Sequence, residues 1–298
     1  MVTVKIPATS ANLGSGFDCM GLALKIYNTI TVEETVDGLK INIMDDTKHF
    51  LPADERNLVY KSMQKVFQMV QYQPKGIRIN LHNGIPVTRG LGSSSACVAG
   101  GLFAANALSG NHLSLDELLL MAAQIEGHPD NSTPAILGGI VTAVLTEDHL
   151  HYVKVELDQQ LKFAVFIPNF ILSTKTARNI LPDMIPRNDA VYNVGRAALL
   201  AASIISGKYE NLSIATEDRL HQQYRKDMIP GMTEIFDFCK VNGARGIYLS
   251  GAGPTLIAIL DDKYEEFENK AGNYIGSELK DWTVKIIEGD NDGVQVLT

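Results

Sequence analysis

What the chain has little of narrows its identity first. Cysteine occurs three times in 298 residues, as Cys19, Cys97 and Cys239. No two form a C-x-x-C pair and the count is odd, which argues against a disulfide framework and for reduced, mostly buried thiols in a cytoplasmic protein. Basic residues are outnumbered, 26 against 34 acidic, for a net charge of -8. The positive field that nucleic acid or an anionic membrane surface requires is therefore missing. No apolar run approaches the roughly 20 residues needed to cross a bilayer. The first seven residues alternate like a strand, without the charged and apolar regions of a signal segment. Neither an internal repeat nor a low-complexity tract is present. The remainder, 45% hydrophobic and 20% charged, is ordinary for a globular protein with room for about two domains. An anionic ligand would have to be held locally, by helix ends and a few cations.

The periodicities predict mixed α and β structure. Residues 2–6 alternate as a strand that Pro7 is expected to stop, and the small, polar residues 8–16 read as a loop. Residues 22–34 read as a long strand, 57–70 as a helix and 76–81 as a strand that feeds a glycine loop. Ser114 with Glu117 forms a capping-box signature for a helix through Ile125, and Gly127 breaks it. Strands follow at 140–145, 152–155 and 163–167. A domain boundary is placed near residue 160, giving units of 1–160 and 161–298. The second unit predicts helices at 189–206, 211–223, 232–240 and 264–275, with strands at 246–249, 255–260 and 283–287. That alternation is typical of an α+β sandwich.

The chain is organised around residues 86–102, whose core is Arg89-Gly-Leu-Gly-Ser-Ser-Ser-Ala96. Gly90 and Gly92 free the backbone of Cβ atoms, and Ser93, Ser94 and Ser95 offer hydroxyls at the start of a run of small apolar residues. A helix N-terminus there presents unpaired N–H groups and the positive end of its dipole, which suits a phosphate. No Gly-Lys-Ser/Thr follows, as a Walker loop requires. Ser95 stands at the third Rossmann glycine, and the closing glycine of a nucleophile elbow is absent. The alternative is an ordinary helix capped by serine.

Further chemistry is concentrated in a few segments. Glu126-Gly-His-Pro-Asp-Asn131 places two carboxylates, an imidazole and an amide beside a helix break. Phosphates in the glycine loop would call for Mg²⁺, for which Glu126 and a serine hydroxyl are suitable oxygen ligands. Arg178 and Arg225 could each hold a carboxylate with a planar fork, or be plain surface charges. Asn12 and Asp18 could meet a small polar substrate or form an Asx turn. Ser250-Gly-Ala-Gly-Pro254 is a second glycine turn, able to approach another loop closely.

Three of these strings, residues 7–18, 86–96 and 249–254, resemble the motifs of the GHMP kinase superfamily, in that order. Residues 8–24, His128-Pro-Asp-Asn131, and Thr174 with Arg178 resemble the homoserine kinase family within it. The resemblance covers nearly the whole chain. It implies a two-domain GHMP kinase fold, with an N-terminal domain like ribosomal protein S5 domain 2 and a ferredoxin-like C-terminal domain. It also implies ATP-dependent phosphorylation of L-homoserine on its side-chain hydroxyl, a step toward threonine, by a possible homodimer. Matched motif by motif, Asn12, Asp18, His128, Asn131, Arg178 and Arg225 would meet the substrate, the arginines at its carboxylate and Asp18 at its ammonium. Asn57, Leu58 and Val59 would lie near adenine, and Pro86, Arg89, Gly90, Leu91, Gly92 and Ser93–Ser95 near the phosphates. Ser94 and Glu126 would hold Mg²⁺, while Asn131, Glu126 and Arg178 would carry catalysis. Mevalonate kinases place a lysine where this chain has Thr9, and their aspartate base has no clear counterpart here. Gly127 alone joins Glu126 to His128, shorter than the connection the resemblance implies.

Overall fold

Residues 1–261 and 264–297 are described by the computed structural model. Strand β1 (Val2–Ala11) buries Val4, Ile6 and Ala8 completely. It is followed by β2 (Met20–Thr35), β3 (Gly38–Ile43), α1 (Leu58–Met69) and β4 (Gly76–Asn83). Then come α2 (Ser93–Ser109), α3 (Leu115–Glu126), α4 (Ser132–Leu137), β5 (Ile140–Leu145) and β6 (Leu150–Val155). The strands form one sheet in the order β1, β2, β4, β3, with β5 branching from β2 and β6 pairing with β5. The length of β2 serves two neighbours, since residues 28–35 pair with β4 and residues 20–22 with β5. Helix α2 is buried along most of its length and packs on α1, α3, β1 and β2. Its small side chains allow that close approach.

The second half continues with β7 (Lys162–Pro168), α5 (Thr174–Asn179), α6 (Arg187–Ser206), α7 (Leu212–Ala215), α8 (Gln222–Arg225) and α9 (Met232–Val241). It ends with β8 (Gly246–Leu249), β9 (Leu256–Leu260), α10 (Tyr264–Glu278), β10 (Trp282–Glu288) and β11 (Gln295–Leu297). Strands β10, β7, β9 and β8 form an antiparallel sheet in that order. Taken by sequence, this is the fourth, first, third, second arrangement of a ferredoxin-like unit. Both faces of the sheet are covered. Ala164, Phe166, Leu256 and Ala258 pack with Ile235 of α9 and Phe267 of α10. Phe163, Val165, Ile257 and Ile259 share a core with Leu200 of α6, Leu212 of α7 and the first sheet. A strand buried on both sides reads as a continuous apolar run, as 163–167 does. The common core joins the two halves and fixes the walls of the cleft between them.

Several expectations are corrected here. Pro7 does not stop the first strand. Pairing jumps from Pro7–Tyr27 to Ala8–Leu24, a bulge that leaves two β2 residues unopposed beside the proline, and residues 8–11 continue as strand rather than loop. β3, α4 and α5 are additions to the expected elements. The segment 211–223 is not a regular helix but a 3-10 turn (Tyr209–Asn211), the short α7 and the start of α8. The chain also returns from the second sheet, because β11 pairs with β1.

Candidate active site

The glycine loop enters α2 without a side-chain cap. Gly92 itself holds the N-cap position at φ 67°, and no side chain accepts from the first turn. Among the described residues, the serine-capped helix is thereby excluded. A Cβ on Gly92 would lie 1.9 Å from Thr9 Oγ1, and one on Gly90 would lie 2.5 Å from the Ser250 carbonyl. Only glycine fits either position, the more so because both have positive φ. Ala96 N–H makes the first intrahelical bond, to the Gly92 carbonyl. The N–H groups of Ser93, Ser94 and Ser95 precede it and suit an anion.

The serine hydroxyls turn elsewhere. Ser94 Oγ donates to Glu126 Oε1 at 3.0 Å and Ser95 Oγ to Glu126 Oε2 at 2.6 Å. Glu126 is the last residue of α3, a helix that the Ser114–Glu117 capping box opens and Gly127 closes. Hydroxyl and carboxylate oxygens beside a phosphate cradle fit a hard cation such as Mg²⁺. Among the described residues no cluster of three or more His, Cys, Asp or Glu could hold an ion. A cation at Glu126 would thus depend on phosphate and water oxygens for its remaining ligands.

After Gly127 the side chains link into a short hydrogen-bonded series. His128 Nδ1 and Asp130 Oδ1 are 2.6 Å apart, Asn131 Nδ2 donates to the same oxygen at 3.3 Å, and Thr9 Oγ1 donates to Asn131 Oδ1 at 2.8 Å. The hydrogen bond to Asp130 raises the His128 pKa, with burial and Arg178 opposing. These contacts fix the Asn131 amide, with its oxygen toward the glycine loop.

The cationic side is built from distant segments. Arg178 meets Asp18 through both nitrogens, Nη1 to Oδ2 at 3.0 Å and Nη2 to Oδ1 at 2.8 Å. Arg225 is 1% exposed. It donates from Nε to the Ala177 carbonyl and from Nη1 to the Gly251 carbonyl and His221 Nδ1. All three acceptors are neutral, and among the described residues Arg225 forms no ion pair. Burial, then the nearby Arg178 charge, push its pKa down to about 10. A buried cation left with neutral partners is primed for an anionic ligand. Asn12 instead braces the backbone. Its Nδ2 donates to the Gly251 carbonyl and its Oδ1 accepts from Asp18 N–H six residues on, a bond that spans the loop rather than an Asx turn.

A cavity of about 530 Å³ connects these groups. Of the expected residues, Asn12, Asp18, Leu58, Arg89, Gly90, Gly92, Ser93, Ser94, Ser95, Glu126, His128, Asn131, Arg178 and Arg225 line it. The one-residue connection at Gly127 leaves Glu126 and His128 on the same cavity. Four do not line it. Asn57 caps α1 by accepting from Val59 N–H, Val59 and Leu91 are buried in the core, and Pro86 stands outside the cleft. Arg89 lines the wall, but its guanidinium donates to the carbonyls of Pro168, Asn169 and Val87, tying the loop to the end of β7. Leu51, Val87 and Ile125 supply apolar wall beyond the expected set, and Asp130 gains a role that the sequence reading does not give it. Its position between His128 and Asn131 is the signal that could have found it. Cys97 also lines the cleft, its thiol pushed up to about 12 by burial and Glu126.

Comparison with known proteins matches this architecture. Residues 57–139 fit the model of the GHMP kinases N terminal domain, and residues 199–273 that of the GHMP kinases C terminal. The homoserine kinase of Caldicellulosiruptor saccharolyticus is 54% identical over 100% of this chain and 97% of its own. The chain belongs to the homoserine kinase family. Another homoserine kinase, from Clostridium beijerinckii, is 46% identical over 100% of this chain and 99% of its own. The crystal structure of homoserine kinase from Cytophaga hutchinsonii superimposes with a TM-score of 0.89 at 28% identity, covering 99% and 97% of the two chains. A mevalonate kinase structure, 16% identical with a TM-score of 0.74, shares the fold. Membership of this kinase family implies ATP use and a small-molecule substrate. Among the described residues no helix is long and apolar enough to cross a membrane.

Proposed function

We propose that the protein transfers the γ-phosphoryl group of ATP to the side-chain hydroxyl of L-homoserine, giving O-phospho-L-homoserine and ADP on the way to threonine. The observation that carries this reading is Arg225, a buried cation with neutral partners in the same cavity as the glycine loop. The substrate carboxylate meets Arg225 and Arg178, and its ammonium meets Asp18. Asp18 and Arg178 pair with each other in the absence of substrate. A zwitterion brings the same two charges, so it joins that pair without leaving either charge unmatched.

The phosphates of ATP lie over residues 90–95, with the base against Leu51, Leu58 and Ile125. Glu126 and Ser94 hold Mg²⁺, which when bound neutralises charge on the phosphates. The substrate hydroxyl oxygen forms the new bond to phosphorus as the bond to the β,γ-bridging oxygen breaks. Its proton leaves late, onto a phosphoryl oxygen, because a loose transition state needs little early proton removal. Asn131 orients the hydroxyl through its remaining Nδ2 hydrogen. Rate then comes from positioning and charge neutralisation. The cytoplasmic setting and the homodimer belong to the same reading.

ADP release is measured with ATP, Mg²⁺ and, in turn, homoserine, serine, threonine and mevalonate. Preference for homoserine supports the assignment, and preference for mevalonate would overturn it.

A further inference from the structure

His221 has no place in the chemistry above, yet it is fully buried directly behind the carboxylate anchor. Its ring stacks on Phe17, with centroids 5.1 Å apart and planes at 21°. Nδ1 lies 3.0 Å from Arg225 Nη1, and Nε2 lies 2.9 Å from the Gly14 carbonyl. A guanidinium has no lone pair to offer, so Nδ1 must be the acceptor. The proton then sits on Nε2 and is donated to Gly14. The tautomer is fixed by its two partners, and the ring is neutral. Burial lowers its pKa, Asp218 opposing, which agrees with that state. Asp218 itself is taken up by the backbone N–H groups of Leu220, His221 and Gln222, and lies 3.7 Å from His221 Nε2, too far to bond.

We infer that His221 is a positioning residue for amino-acid recognition: as a neutral imidazole whose tautomer the Gly14 carbonyl sets, it offers Nδ1 to the guanidinium of Arg225 and aims that fork at the substrate carboxylate. This rests on Arg225 receiving the substrate carboxylate, as proposed above. A carboxylate in place of the imidazole would neutralise Arg225 and remove its pull on the substrate. A charged imidazole would repel it. The neutral ring aims the fork and leaves the positive charge whole.

Two substitutions separate the ring's two atoms. The H221N amide oxygen can occupy the Nδ1 position and accept from Arg225, whereas the H221Q amide reaches the Nε2 position and keeps Gly14. Homoserine and ATP binding are measured by titration calorimetry, with thermal melting as a control on folding. The expected result is a homoserine Kd raised about tenfold in H221Q and by less than about threefold in H221N, the ATP Kd staying within about twofold in both. Equal losses in the two variants, a loss shared equally by ATP, or unchanged homoserine binding in H221Q would each overturn the inference. Should H221Q not fold, H221M, which offers Arg225 no strong acceptor, takes its place with the same expected loss of about tenfold in homoserine binding, and unchanged binding would overturn the inference. Absence of homoserine binding by the wild-type protein would instead sink the functional reading beneath it.

Discussion

Replacing Arg225 with methionine removes a charge while keeping much of the buried volume. The stem of Arg225 is enclosed and its guanidinium meets only neutral acceptors among the described residues. Losing a buried charge-assisted contact to a ligand carboxylate costs about 2–5 kcal/mol. At about 1.4 kcal/mol per decade, homoserine binding weakens at least about 30-fold. The effect on folding is smaller. The Gly251 carbonyl keeps its bond from Asn12, while the Ala177 carbonyl and His221 Nδ1 lose a donor. Orphaned acceptors cost about 1–3 kcal/mol each, and relief of a buried cation offsets part of that. Steady-state ADP release, with each substrate varied in turn, should give a homoserine KM raised at least about 30-fold and an ATP KM within about threefold of wild type. Equal changes in both, or a homoserine KM that moves less than threefold, would refute the reasoning.

Other perturbations test other parts of the cleft. Glu126→Gln keeps the size of the side chain and one oxygen, and should lower kcat about 100-fold while raising the Mg²⁺ concentration for half-activity; an unchanged metal titration would remove Glu126 from the metal site. Gly92→Ala drives a methyl group into Thr9 Oγ1 at a positive φ, so the ATP KM should rise at least about tenfold, and a kinetically normal variant would contradict the geometry. Asp130→Asn removes the partner that raises the His128 pKa. A raised folded-state pKa stabilises fully below the unfolded value of about 6.5 and is lost as pH climbs through the folded value. The stability gap between wild type and Asp130→Asn, followed by urea unfolding from about pH 5.5 to 8.5, should shrink as pH rises; a gap that widens would reverse the assignment.

Local signals in the sequence were legible where the physics is local. The Ser114–Glu117 box, the Gly127 stop and the helical spacing of 57–70 each arise within a few residues and each formed. Pro7 misleads because a bulge opposite it excuses its missing N–H, and the partner strand lies about twenty residues away. The serines of the glycine loop look like caps because their partner, Glu126, is remote in sequence. The resemblance places Asn57, Leu58 and Val59 near adenine; Asn57 caps α1, Leu58 lines the cleft and Val59 is core. The pairing of Arg178 with Asp18 and the carbonyl partners of Arg225 depend on contacts across 160 and 26 to 48 residues. His221 stands four residues before Arg225, a spacing visible in the sequence, but its bond to Gly14 spans 207.

On the proposed function, one cleft joins a phosphate cradle to a site for a hydroxylated amino acid. The most direct test of that proposal is the steady-state rate of ADP release by the wild-type protein with Mg²⁺-ATP and saturating homoserine, against the same assay with mevalonate. The account predicts robust turnover with homoserine and at least about 100-fold lower kcat/KM with mevalonate, which lacks the ammonium that Asp18 receives, roughly the discrimination that a buried charged contact provides. Equal turnover of the two, or none with homoserine, would contradict it.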